Sequence, residues 1–125
     1  MSRYLKLGIA ICALLWLPSL AIGGEKFNVV GDYTCTGDGY TATVKITAFG
    51  DAFKVLWKFS DDTTETGLGI FSDNALSLSW LHQDGSRGVA VYKVSKDKLK
   101  LEGLWAQEGK DGKVGTETFT KVKKH

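Results

Sequence analysis

The chain has 125 residues, 43% hydrophobic and 24% charged, with 16 Lys and Arg against 14 Asp and Glu. Arg3 and Lys6 are the only charges among the first 23 residues, so the remainder is balanced at 14 against 14. That balance lacks the basic excess with which a nucleic-acid binder neutralises phosphates, and the short run Lys121, Lys123, Lys124, His125 reads as a solvated end.

Behind Arg3 and Lys6 comes an apolar run over residues 7–17, broken by Pro18 and Ser19 and followed by the small residues Ala21, Gly23 and Gly24. This is the order of a secretory signal peptide. A bilayer-crossing helix needs about 20 apolar residues, and this run stops short, so cleavage is expected instead of anchoring. The expected cut follows Gly23, with Ala21 the next choice. Residues 24–125 then form one domain, placed in the periplasm or outside the cell, with no membrane span left. Cys12 lies within the leader behind bulky Ile11, which argues against lipid attachment. Cys35 is then the only cysteine of the processed chain. No internal disulfide can form, and Cys35 reads as a small strand residue.

From Gly31 onward, apolar and polar residues alternate in short runs, which is the signature of strands with one buried face. A first strand covers residues 31–37. Tyr40, Ala42, Val44 and Ile46 share one face of the second; Phe53, Val55, Trp57 and Phe59 share one face of the third. Between them, residues 49–52 form a tight hairpin turn in which Gly50 supplies positive φ. Further strands are expected over 63–71, 75–82, 87–95 and 98–106, then a mobile loop at 107–113 and a last strand over 114–122. No run shows a sustained helical period, so helix content should be near nil. Eight short strands joined by hairpins predict an all-β, antiparallel, up-and-down β-barrel, with a two-sheet β-sandwich as the alternative.

The motifs Gly31-Asp-Tyr33-Thr-Cys35-Thr-Gly37, Phe53-Lys-Val55-Leu-Trp57, Gly67-Leu-Gly69, Leu76-Ser-Leu-Ser-Trp80, Gly88-Val-Ala-Val-Tyr92, Leu101-Glu-Gly103-Leu-Trp105 and Gly115-Thr-Glu117 span nearly the whole processed chain. This pattern resembles a group of small exported bacterial β-proteins, some loosely labelled fibronectin-binding. The resemblance implies fold and export, and it carries no functional residue. The glycine-to-tryptophan rhythm is also similar to avidin-type eight-stranded barrels, as an analogy of fold only.

Chemistry-bearing residues are sparse. His82 and His125 lack a cysteine or carboxylate at ligand spacing, so no metal site or cofactor is expected. Ser77 and Ser79 lack a nucleophile elbow and read as solvent-facing pleat residues; no catalytic residue is expected, and the chain reads as a non-enzyme. Gly67-Leu68-Gly69 lacks the Lys-Ser or Lys-Thr of a phosphate loop. Its glycines face outward if Leu68 and Ile70 face inward, or else make room inside for Trp57 or Trp80, and the sequence leaves both open.

Arg87 and Glu117 read most simply as two exposed charges. Should Phe119 point inward, however, Glu117 follows it and needs a cationic partner, for which Arg87 is the candidate. The aromatic set is the strongest feature: Tyr40, Trp57, Trp80, Tyr92 and Trp105, with Phe59, come from strands that share one interior. They either fill a solid core or line a cavity for a small apolar ligand. The expected function is therefore an exported binding or interaction module for a small apolar ligand or an extracellular matrix-type protein. The alternative is a structural envelope protein with a solid aromatic core.

Overall fold

The computed structural model describes residues 27–123. The expected leader, Cys12, Lys124 and His125 lie outside these residues. Eight strands follow in order: β1 (Gly31–Gly37), β2 (Tyr40–Phe49), β3 (Ala52–Phe59), β4 (Thr64–Ser72), β5 (Ala75–His82), β6 (Arg87–Val94), β7 (Lys100–Gln107) and β8 (Val114–Lys121). Each pairs antiparallel with its neighbour, and β1 pairs with β8, so the sheet closes into an up-and-down barrel. Closure leaves no open sheet edge. The barrel expectation holds, and no helix occurs among the described residues.

Turn chemistry fixes the registers. Gly50 (φ 61°) and Asp51 join the pair Phe49–Ala52 in a two-residue loop, and Asp73 (φ 54°) with Asn74 (φ 60°) joins Ser72–Ala75. Positive φ at both central positions, as at Asp73 and Asn74, or at the first alone, as at Gly50, marks the mirror-image turns whose twist matches that of paired strands. The strand expected from residue 98 starts at Lys100 instead. Lys98 takes φ 61°, the Asp97 carboxylate accepts the Leu99 amide at 2.9 Å, and the Ser95 amide donates to the Lys100 carbonyl at 2.9 Å. These bonds hold residues 95–99 as a turn. The loop expected at 107–113 opens one residue later, since Gln107 still pairs with Gly88.

Alternation sorts each strand into two faces. Val44, Ile46, Val55, Trp57, Leu76, Tyr92, Leu101 and Phe119 fill the interior, each at most 2% exposed. Burying one such side chain contributes on the order of 1.5–3 kcal/mol, which serves a fold whose Cys35 is free. Ser77 and Ser79 face solvent as expected.

The two ends of the barrel differ. At the end formed by the β2–β3, β4–β5 and β6–β7 turns, residues 27–30 lie against the core. The Tyr33 hydroxyl donates to the Val29 carbonyl at 2.7 Å, the Phe27 ring lies 6.2 Å from that of Phe71, and Val29 is buried. Tyr33, Trp57 and Tyr92 pack around Phe119, Tyr92 stacking on it at 4.4 Å. This end is solid.

Candidate functional site

The opposite end opens between the β1–β2, β3–β4, β5–β6 and β7–β8 loops. It encloses a cavity of about 330 Å³ walled by Tyr40, Phe59, Trp80, Tyr92, Trp105, Glu65, His82 and Glu117, with Asp84, Ser86, Gln107 and Lys110 at its margin. Four of the five rings singled out from the sequence therefore meet at one cavity. The fifth, Trp57, is fully buried and packs against Phe119. Rings thus pack the interior around Phe119 and line a cavity at the opposite end of the barrel.

Each of the five rings is seated over a glycine of a neighbouring strand. Tyr40, Trp80, Tyr92 and Trp105 stand directly across from Gly37, Gly88, Gly103 and Gly115, while Trp57 reaches diagonally to Gly67. A Cβ on any of these glycines would press into the ring opposite; at Gly115 it would lie 2.5 Å from Trp105 Cε2. Glycine here is a seat for a large ring, letting it lie close to the barrel wall. The same geometry settles the Gly67-Leu68-Gly69 question: the glycines face inward, and Leu68 (51% exposed) and Ile70 (65%) face out.

Glu117 corrects the reading of two exposed charges. It points inward with Phe119 and is 7% exposed. Arg87 is not its partner: it starts β6 on the outside and forms an exposed ion pair with Glu108 at 2.8 Å. Neutral donors hold Glu117 instead. Its Oε1 accepts the Tyr40 hydroxyl at 2.7 Å, and its Oε2 accepts the Tyr92 hydroxyl at 2.5 Å and the Trp57 indole N–H at 3.3 Å. Three strands, β2, β3 and β6, thus aim donors at one carboxylate on β8.

The electrostatics follow from burial. Desolvation pushes the Tyr92 and Tyr40 hydroxyls well above the usual range of tyrosine, and the Glu117 carboxylate adds to both shifts. Both therefore stay protonated as donors. Burial also raises the Cys35 thiol strongly, with the Glu117 charge contributing.

Glu65, missed in the sequence, enters the wall because it lies two residues before inward-facing Gly67. Its Oε1 lies 3.0 Å from His82 Nδ1, and burial pushes its carboxyl up to about 7 against the opposing pull of His82. The Trp105 Nε1 is buried without a hydrogen-bond partner, although it lies close enough to Tyr40 to offset part of that hydroxyl's upward shift. Among the described residues, no cluster of His, Cys, Asp and Glu is arranged to hold a metal ion.

No protein-family model matches the chain, and no curated protein matches it. Solved structures do. A de novo designed fluorescence-activating β-barrel aligns over 74% of this chain and 93% of its own, with a TM-score of 0.61 and 16% identity. A REP1-NXSQ fatty acid transporter aligns over 78% of this chain and 98% of its own, with a TM-score of 0.52 and 10% identity. At these identities the likeness is one of fold: this chain is built as small closed barrels are.

Proposed function

We propose that the protein is a non-enzymatic carrier or receptor that holds one small molecule in the mouth of its barrel. The observation that carries this reading is the asymmetry of the interior. One end is packed solid, while the other keeps a ring-lined cavity of about 330 Å³ with a buried carboxylate in its wall. Ligand sites are typically concave, largely apolar and furnished with a few fixed polar groups. The two barrels above, one fluorescence-activating and one a fatty acid transporter, are in keeping with it. Export, with removal of residues 1–23, and kinship with the small exported bacterial β-proteins belong to the same proposal.

Native mass spectrometry of the protein purified from its own cells tests the reading. A retained small molecule, released on denaturation, is the expected result. Repeatedly empty spectra, together with a panel of small aromatic probes that changes neither tryptophan fluorescence nor melting temperature, would overturn it.

A second reading, docking of a protein partner on the outer wall, is favoured by one observation. Leu68, Ile70, Val89, Leu104 and Val114 are each more than half exposed on β4, β6, β7 and β8. Solid-phase binding to immobilised matrix protein at physiological salt tests it, since adhesion by charge alone disappears as salt rises.

A further inference from the structure

We infer that the ligand of this cavity is a small organic cation, an ammonium group on a short apolar body that also carries an oxygen acceptor; this rests on the small-ligand reading above. Glu117 carries the argument. A carboxylate 7% exposed has been taken almost wholly out of water, yet its three partners, Tyr40, Tyr92 and Trp57, are all neutral. Removing a charge from water is costly unless an opposite charge repays it. Among the described residues, no lysine or arginine forms an ion pair with Glu117. The rest of the lining adds Glu65 in the wall and Asp84 at the margin against Lys110 and the ionisable His82, so carboxylates outnumber permanent cations around the opening. Burial of Glu117 without a counter-charge therefore leaves the cavity negative.

The rest of the wall suits a cation in a second way. Tyr40, Phe59, Trp80 and Trp105 supply aromatic rings, with Trp80 and Trp105 meeting edge to face at 6.3 Å and Tyr40 and Phe59 at 5.8 Å. Ring faces attract ammonium groups, more strongly where water is excluded. Tyr40 and Tyr92 spend their protons on Glu117, which leaves their oxygens as acceptors for an N–H of the ligand. Trp105 Nε1 lies beside the Tyr40 hydroxyl, with no partner in hydrogen-bond geometry. A buried N–H without a partner is destabilising, and an oxygen on the ligand would satisfy it.

Three probes of one shape separate the charge from the shape: phenylethanolamine (cationic), phenylethylene glycol (neutral) and mandelate (anionic), titrated calorimetrically into the intact protein. Phenylethanolamine should bind about tenfold or more tighter than the glycol, a ratio within the range of cation–π and buried-charge contacts, with mandelate weakest. Glu117→Gln keeps the side-chain size and should erase the preference of the cation over the glycol. If that variant fails to fold, the ranking on the unmodified protein decides alone. Glycol or mandelate binding as tightly as the amine would overturn the cation assignment while leaving a small-ligand site in place. Binding by none of the three would also overturn it, and the native mass spectrum then decides separately whether the small-ligand reading survives.

Discussion

The Tyr92 hydroxyl on β6 donates to Glu117 Oε2 on β8 at 2.5 Å, a bond that reaches across the interior past the intervening strand β7. It ties two non-adjacent strands of the barrel, and its acceptor is a charge that cannot turn to water. A hydrogen bond to a charged group contributes about 1.5–3 kcal/mol, and Tyr92→Phe removes this one with little change in shape. The variant should lose that much unfolding free energy, read as a lower urea midpoint with the slope of the transition unchanged. A midpoint equal to that of the parent would mean the bond contributes nothing.

The glycine seats differ in how much room they leave. A Cβ on Gly88 would collide with the Ala106 carbonyl oxygen, a backbone atom, and come within 2.6 Å of Trp80 Cζ2. On Gly67 the nearest atoms are Trp57 Cζ3 at 3.0 Å and the Ser79 carbonyl oxygen at 3.1 Å. Overpacking costs about 1–3 kcal/mol, more where the obstacle cannot move. Gly88→Ala should therefore destabilise the barrel clearly more than Gly67→Ala in chemical denaturation. The reverse order would show that the rings are not held against these glycines as described.

Much of this arrangement was legible in the chain. Two-residue alternation places Ala42, Val44 and Ile46 inside and Thr41, Thr43 and Lys45 outside, and the structure keeps that assignment. The barrel followed from short loops that permit only neighbouring strands to pair. What alternation could not show is which strands face one another across the interior. Glu117 and Tyr40 are 77 positions apart and meet only because β8 closes onto β1, so the buried carboxylate read most simply as exposed. Glu65 was hidden for another reason. Its direction depends on the register of Gly67 and Gly69, and glycine carries no hydropathy signal by which to choose. The segment over residues 27–30 has no strand pattern at all, and its place at the closed end comes from Phe27 and Val29 finding apolar neighbours.

Cys35, 1% exposed on β1, has its thiol pushed far above the usual range, first by burial and then by the Glu117 charge. Thiolate is the reactive form, so both access and ionisation are denied. A disulfide-exchange reagent should leave the native protein unmodified over hours at neutral pH and label Cys35 promptly in denaturant. Rapid labelling of the folded protein would mean that β1 opens readily from the barrel.

Glu65 makes stability depend on pH in a direction opposite to that of most carboxylates. Its folded-state value lies near 7, above the unfolded reference of 4.5, because burial disfavours the charge more than His82 restores it. The folded protein therefore holds this proton more tightly than the unfolded chain does. The contribution is fully present below about pH 4.5 and is lost as the pH rises through about 7. Glu65→Gln keeps the shape and removes the titration, so the melting temperature of the parent should fall relative to the variant across that window. The same ionisation adds a second negative charge to the cavity wall, so affinity for a cationic probe should rise over the same interval in the parent and not in Glu65→Gln. Parallel melting curves for the two proteins would show that His82 and solvent already compensate the buried carboxyl, and would remove Glu65 from the electrostatics of the site.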